Sequence, residues 1–329
     1  ALHISGEHVF NVPPLDVPEL EQRVCVESMM QQAAMALFVS RAQAVQNNFV
    51  LTKDNIQQVA ELCDRLDGIP LAIELAASNV GRISLAEMLE QSRNRLKWLN
   101  NGPRDMPSRH QTLRSTIEWG YSLLNKDEQQ LFTGLGIFLG SFTKDAVEKI
   151  MADVIGLEVS ISDCLISLLD KSLIRNITCN SNDEICFEML ETIHEFAVEC
   201  LNESGYLSVL EEKHAYYYLS LVEDALKNIN GPEQYMYLNR LERSYSNVLA
   251  VIEWAKKKNN VALEVKLAVG LGEYWELRGR WSEGRLILDN IVNRYAGSLK
   301  SKEFAMIYHW LGRLVQLEGK DAEGNSETN

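Results

Sequence analysis

Residues 64–77 read DRLDGIPLAIELAA, and this stretch limits the fold of the chain more than any other. Before it, apolar residues recur at spacings of three and four on one helical face: Ile56, Val59, Ala60, Cys63 and Leu66. Gly68 stands where a left-handed residue ends a helix, and Pro70 stands in the first turn of the next, where its missing N–H costs nothing. The stretch predicts a helix, a tight corner and a second helix.

Polar side chains mark further helix starts. Ser84 with Glu87 and Asn125 with Glu128 have the spacing of a capping box, in which each member of the pair caps the other's backbone N–H. Thr52 is expected to cap the helix before the corner.

Residues 106–205 change pattern. Three helical stretches are followed by two strand-like runs, SLIRNITC and EICFEML, joined by the polar turn NSND, and then by a further helix, ETIHEFAVECL. Helices followed by a two-stranded wing predict a winged-helix domain.

From residue 206 onward the pattern is helical throughout and contains a repeat. LGEYWELRGRWSEG at 271–284 matches LGRLVQLEGKDAEG at 311–324, with glycines expected at a helix contact and in a turn. The two copies begin at 271 and 311, 40 residues apart. A period of this length is typical of stacked helical hairpins, and the pattern is similar to a degenerate tetratricopeptide (TPR) repeat. The second copy ends where its second helix is expected to begin.

These patterns predict a mainly α fold with four regions. Residues 1–20 are expected to hold a strand, Val9 to Val12, and a proline-rich exit from a sheet whose other strands are missing. Residues 21–105 are expected to form a helical bundle, residues 106–205 a winged-helix domain with a small β-hairpin wing, and residues 206–329 TPR-like α-helical repeats, also truncated.

Charge and apolar content exclude some classes of partner. The chain carries a net charge of -14, and residues 106–205 hold 7 basic and 16 acidic side chains. Since each neutralised phosphate needs a Lys or Arg, DNA contact through this segment is disfavoured. No apolar run approaches the ~20 residues that span a bilayer, so no membrane partner is expected. The six scattered cysteines favour free thiols and a cytoplasmic location.

No complete catalytic or metal site is visible. Gly319-Lys320 is followed by Asp321 and lacks the earlier glycine of a phosphate loop, so the chain alone is not expected to be an enzyme. Two residues invite a binding role. Pro70 is either only a helix corner or also a flat wall for a planar ligand, and His194 is either a partly exposed helix residue or a phosphate or pH sensor.

Several motifs, in order, resemble the STAND and NB-ARC-type signal-transduction ATPases, in particular bacterial LuxR-like and SARP/AfsR-like multidomain regulators. They are PPLDVPE, CDRLDGIPLAIELAA, RHQTLRSTIEWGYSLLNKDEQQLF, GIFLGSFTKDAVEKI, LLDKSLI and FEMLETIHEFAVE. The resemblance covers most of residues 2–320. It implies that residues 1–20 are the last strand and exit of a truncated nucleotide-binding core and that residues 21–105 are a helical lid. With the winged helix and the sensor repeats, this lid would belong to a transcription-regulating switch that closes over ATP or ADP.

The resemblance also implies site residues and partners. Gly68 and Pro70 would lie on the adenine side of the nucleotide. Met189-Leu190-Glu191 matches a Met-His-Asp phosphate-sensing triplet but has leucine in place of histidine, and His194 could substitute for it. The phosphate loop would belong to an upstream ATPase core in the parent protein, and the repeats would bind an inducer or protein partner. A scaffold without nucleotide switching, or DNA binding through the winged helix, are the alternatives.

Overall fold

The computed structural model describes residues 13–18, 31–92, 113–178, 185–295 and 301–326. The predicted strand at Val9 to Val12 and the turn at 180–183 lie outside these ranges. The helices are α1 (Ala33–Val45), α2 (Ile56–Arg65), α3 (Pro70–Ala77), α4 (Leu85–Gln91), α5 (Leu113–Ser122), α6 (Lys126–Leu135), α7 (Lys144–Met151), α8 (Ile161–Asp170), α9 (Glu191–Glu203), α10 (Leu207–Asn228), α11 (Gln234–Lys257), α12 (Val261–Gly270), α13 (Gly272–Leu277), α14 (Trp281–Tyr295) and α15 (Ser301–Ser326). The strands are β1 (Phe142–Thr143), β2 (Arg175–Thr178) and β3 (Ile185–Glu188). The prediction of a mainly α fold is therefore confirmed.

The chain divides into two compact units. The first comprises Ala1–Gly136, Gly156–Arg175 and Met189–Ser204, and the second comprises Ile137–Ile155, Asn176–Glu188 and Gly205–Asn329. This division does not follow the four predicted regions, whose boundaries stay predictions.

Helix caps in the first unit follow local sequence in two cases of three. The capping boxes of Ser84 with Glu87 and of Asn125 with Glu128 are both formed. The expected Thr52 cap is wrong, because α2 begins only at Ile56. Asn55 Oδ1 instead accepts the Thr52 backbone N–H at 2.7 Å, so the two residues form a turn before the helix.

The first unit has two apolar clusters. Helices α1 to α4 bury side chains that include Phe38, Leu62 and Met88. Around α6 and α9, the rings of Tyr121, Phe132 and Phe196 lie with centroids 5.4 to 6.2 Å apart. Aromatic rings at these separations add stabilisation beyond the apolar area that they bury.

In the second unit a small antiparallel sheet has the strand order β1-β3-β2. Phe142 pairs with Phe187 across β1 and β3, and Phe138 stacks on Phe142 with a centroid distance of 4.8 Å. The two strand-like runs of the predicted wing are β2 and β3, while β1, which is two residues long, was not predicted.

A buried amide ties the start of this unit to α10 and α11. Asn247 is fully buried; its Oδ1 accepts the Leu139 N–H at 2.8 Å and its Nδ2 donates to the Ser141 carbonyl at 3.0 Å. The same Oδ1 lies 3.1 Å from His214 Nε2. Since the backbone donor fixes the orientation of the amide, His214 Nε2 must carry the proton.

The repeat is only partly realised. In the first copy Trp275 is fully buried, and a Cβ on Gly272 would meet the ring of Trp310, so this glycine does lie at a helix contact. In the second copy Val315, the counterpart of Trp275, is exposed, and Gly319 lies inside α15 instead of in a turn. The predicted turn is wrong because residues 320–326 contain only one apolar side chain, Ala322, and cannot form an amphipathic second helix.

The expectation of free thiols holds for three cysteines and fails for one. Cys63 and Cys164 are buried and free, and Cys200 is half-buried and free. Burial is the main cause that raises the pKa of Cys63 to about 12 and that of Cys200 to about 11, so both stay protonated at neutral pH. Cys186 in β3 is disulfide-bonded, which scattered sequence positions do not reveal.

Replacement of His214 should change how stability depends on pH. Burial lowers the pKa of His214 to about 4 from the ordinary 6.5, a shift that the hydrogen bond with Asn247 opposes. Between these values the unfolded chain takes up a proton that the folded chain refuses, so unfolding becomes easier as pH falls from 6.5 towards 4. We expect this residue alone to lower the free energy of unfolding by up to about 3 kcal/mol over that range.

Urea unfolding between pH 4 and 7.5 measures the effect. The variant His214→Gln should show a flatter pH profile than the wild type, whereas His309→Gln, at an exposed position, should follow the wild type. Parallel profiles for the wild type and His214→Gln would contradict the assignment.

Candidate functional site

The predicted corner is built from two successive residues in the left-handed conformation. Asp67 has a φ of 55° and Gly68 a φ of 63°. The Gly68 N–H donates to the Cys63 carbonyl and the Asp67 N–H to the Asp64 carbonyl, the pair of bonds that defines a Schellman helix end. The residue at the left-handed capping position is therefore Asp67 and not Gly68 as predicted, because aspartate tolerates this conformation better than most side chains.

Gly68 is required for a second reason, its contact with the proline-rich segment. The Leu15 N–H donates to the Gly68 carbonyl at 2.9 Å. A Cβ at position 68 would stand 2.3 Å from the Leu15 carbonyl oxygen, which is closer than atoms can approach. Only glycine allows residues 13–18 to lie directly on the corner.

Pro70 opens α3, as predicted. It occupies the first turn of the helix, and Ile69 before it is extended, with a ψ of 117°. The ring of Pro70 is exposed, whereas Gly68 is buried and Ile69 is half-buried. The corner thus presents one rigid apolar ring on a backbone that is fixed from both sides.

The N-terminus of α9 is capped by the corner. Leu190, at the N-cap position, has no side-chain acceptor to offer. Asp67 Oδ2 accepts the Thr192 backbone N–H at 3.2 Å instead, from a residue 125 positions earlier in the chain. A carboxylate that accepts from the second residue of a helix satisfies an orphan donor and interacts favourably with the helix dipole.

His194 lies two residues after Thr192 in α9 and faces the end of α6. Its Nε2 is 3.2 Å from the Gly136 carbonyl oxygen, and its side chain is half-buried. Gly136 itself packs on the α9 backbone, where a Cβ would come within 2.8 Å of the Ala197 carbonyl group. With one ring nitrogen committed in this way, phosphate sensing by His194 stays a prediction.

Helix α8, which precedes the wing, shows why charge disfavours DNA. Lys171 directly follows it and pairs with Glu128, whose carboxylate also accepts from Ser167. Burial alone would raise the pKa of Glu128, but the bonds from Lys171, Ser167 and the Asn125 N–H lower it below its ordinary value. The nearest positive charge of this helix is thus already neutralised within the protein.

Gly68 and Pro70 stand out in the sequence as corner residues, whereas the parts played by Asp67, Leu15 and Thr192 do not. One local signal was present, since a leucine at the start of α9 leaves the helix without its own cap. Across the part of the chain that the structure describes, no group of His, Cys, Asp or Glu side chains could hold a metal ion. In the same ranges no helix is long and apolar enough to cross a membrane.

Replacement of Gly68 should destabilise the first unit strongly. An alanine there would be strained at a positive φ and would collide with Leu15. Gly205 also has a positive φ, of 78°, but a Cβ there meets nothing within 4 Å. Gly205→Ala should therefore cost about 1 kcal/mol of unfolding free energy, and Gly68→Ala about 1 to 3 kcal/mol more. Urea unfolding compares the two, and equal losses would contradict the close contact with Leu15.

Loss of the Asp67 carboxylate should loosen the start of α9. Asp67→Gly suits the left-handed backbone and removes the carboxylate that caps α9, so we expect a loss of about 1 to 2 kcal/mol of unfolding free energy and faster hydrogen exchange at the Thr192 amide. Asp67→Asn keeps an uncharged acceptor, so its free energy of unfolding should lie between that of the wild type and that of Asp67→Gly. Asp64→Asn, on the exposed side of the same helix end, is the matched control and should change stability by less than about 0.5 kcal/mol. Unchanged exchange at Thr192 in Asp67→Gly would show that the cap contributes nothing.

Comparison with known proteins finds relatives in mycobacteria and no matching family model. The chain is 32% identical over 289 residues to the protein named "Putative HTH-type transcriptional regulator Rv0890c" of Mycobacterium tuberculosis, a match that covers 88% of this chain. It matches the M. bovis protein of the same type, Mb0914c, with the same identity and coverage. It is also 30% identical over 206 residues to "Uncharacterized protein Rv0894" of M. tuberculosis, covering 62% of this chain and 49% of that protein. The chain spans 31% of the length of the two regulators, so it is similar to one part of a longer protein.

Proposed function

We propose that this chain is the lid, winged-helix and helical-repeat part of a STAND-type transcriptional regulator that switches between ADP-bound and ATP-bound states. Support comes from the order of the motifs and from similarity to relatives named HTH-type transcriptional regulators. The observation that carries the proposal is the corner. Gly68 bonds Leu15, Asp67 caps α9 and the ring of Pro70 is left exposed.

The corner fits the base of a nucleotide but not its phosphates. The exposed ring of Pro70 offers an apolar wall on a backbone that cannot give way, which suits the flat face of adenine. Gly68 would keep the wall in place through its bond to Leu15. The signal would be whether the bound nucleotide carries a γ-phosphate, as ATP does and ADP does not. The phosphates would be held by an ATPase core outside this chain. The chain alone is thus a binding partner in the switch and not an ATPase.

The cap of α9 is the means by which the corner would transmit a change. A ligand shifts an equilibrium only if it contacts the two states differently. A hydrogen bond to a charged group is worth about 1.5 to 3 kcal/mol, which corresponds to roughly a 10- to 150-fold change in a population ratio. A nucleotide that moved Asp67 away from Thr192 would therefore bias α9, and with it the first unit, by a useful amount.

The repeats would bind an inducer or a protein partner, and the output would lie in parts of the longer protein. DNA binding through the winged helix is the second candidate, favoured by the name of the relatives. The pairing of Lys171 with Glu128 and the acidic balance of residues 106–205 disfavour it. Strongly salt-dependent DNA binding by residues 1–329 would revive it.

Replacement of Pro70 tests the nucleotide switch directly. In the complete protein that contains residues 1–329, Pro70→Ala should weaken binding of fluorescent ADP about tenfold, because it removes about two CH₂ groups from the wall. The fold should be retained, since alanine also suits the first turn of a helix. Fluorescence titration gives the dissociation constants of wild type and variant.

The matched control is Pro232→Ala, an exposed proline in the loop between α10 and α11, which should bind ADP like the wild type. If the complete protein binds no adenine nucleotide, or if Pro70→Ala binds it unchanged, the switch is wrong. A protein-interaction scaffold without nucleotide switching then becomes the better account.

A further inference from the structure

An open cleft of about 620 Å³ lies along α10 in the second unit. Most of its lining comes from one face of α10, with Lys149 contributed by α7 and Arg240 by α11. Its volume lies within the range of roughly 300 to 1,000 Å³ that is usual for small-molecule sites. None of the sequence motifs accounts for this cleft.

Positive charge is concentrated in the cleft although the chain as a whole is acidic. Four basic side chains line it, Lys149, Lys213, Lys227 and Arg240, against two carboxylates, Glu223 and Asp224. Two further carboxylates outside the lining, Asp145 and Asp153, pair with two of these cations, so an anion is the complementary ligand where it can displace such exposed partners.

The basic residues are available to a ligand. Lys149 pairs with Asp145 at 3.0 Å, Lys213 with Asp153 at 3.2 Å and Arg240 with Asp224 at 3.3 Å. These pairs are solvent-exposed; Asp153, for example, has 86% of its side-chain surface exposed. Exposed pairs of this kind contribute ~0 to 1 kcal/mol to the stability of the fold, so a ligand can readily replace the carboxylate in such a pair.

Lys227 differs from the other three basic residues that line the cleft. Among the residues that the structure describes it makes no ion pair, although it lies on the same face of α10 as Lys213. It follows Glu223 and Asp224 by four and three residues on α10, so these carboxylates lower the local potential without holding its ammonium group in an ion pair, and the group can turn to a ligand.

An aromatic ring completes the lining. Tyr216 lines the cleft and is 57% exposed, so its ring is accessible to a planar group. The neighbouring Tyr217 is committed instead, because its hydroxyl donates to Asp145 Oδ2 at 3.0 Å. Burial first and Asp145 second raise the pKa of Tyr217 to about 12, so it remains a neutral donor.

We propose that this cleft binds an anionic small molecule with a planar ring, its phosphate or carboxylate group held by Lys227 and Arg240 and its ring placed on Tyr216. The assignment names the ligand class of the sensing part described under the proposed function. It rests on that function for its regulatory role, but the binding itself does not.

Titration of residues 1–329 with phenyl phosphate at pH 7.5, followed by calorimetry, tests the assignment, and benzoate in a parallel arm distinguishes phosphate from carboxylate. We expect saturable binding at millimolar concentration that weakens as salt is added, because a surface charge contact is screened. Lys227→Ala should weaken binding about three- to tenfold. Lys257→Ala, at an exposed lysine that also lacks an ion pair in the described residues, should bind like the wild type.

Two further variants locate the ring and separate the two proposals. Tyr216→Leu should weaken binding of phenyl phosphate but leave binding of inorganic phosphate unchanged. Pro70→Ala should leave phenyl phosphate binding unchanged. The assignment is overturned if phenyl phosphate and benzoate both fail to saturate, or if Lys257→Ala weakens binding as much as Lys227→Ala. Binding that Pro70→Ala abolishes would also overturn it. If the complete protein binds no ADP while the Lys227 dependence holds, the nucleotide switch fails and the cleft stands.

Discussion

The backbone conformation at Asp67 and Gly68 allows one corner of the first unit to contact two distant segments of the chain. Two successive left-handed residues turn the chain sharply enough to aim the Gly68 carbonyl at Leu15 and the Asp67 carboxylate at Thr192. Both contacts follow from the same two φ angles, so a change in this backbone would disturb both. The corner therefore joins the proline-rich segment, the α2–α3 pair and α9, which are far apart in the sequence.

In the second unit an uncharged residue, Asn247, joins segments that are far apart in the sequence. Asn247 bonds two backbone groups more than 100 residues earlier in the chain and the ring of His214. An amide supplies both donors and an acceptor, so one buried side chain can satisfy groups of both kinds. Such a network specifies one arrangement only when every member is paired, as it is for these three contacts.

Part of the local chemistry was predictable from the sequence, and the long-range chemistry was not. The two capping boxes and the place of Pro70 depend on residues three or four positions apart, and all were predicted. The contacts of Asp67 with Thr192 and of Gly68 with Leu15 join residues 125 and 53 positions apart, and no spacing rule reaches so far. The turn at Gly319 was mispredicted because glycine permits a left-handed turn without requiring one; the turn forms at Gly279, where the apolar side chains of α14 can pack back on the preceding helix.

Asn247 and Asp67 each hold distant segments together, and the difference in their burial decides which of them suits a switch. Asn247 is fully enclosed, so breaking its bonds would leave several polar groups buried without partners, at about 1 to 3 kcal/mol for each. Asp67 is only half-buried, and its carboxylate can exchange the Thr192 N–H for water when it is released. The cost of breaking this contact is that of one exchanged hydrogen bond, the one that caps α9, which is within the range that differential binding of a small ligand can supply. The contact that is strong enough to order α9 is thus also weak enough to be reversed.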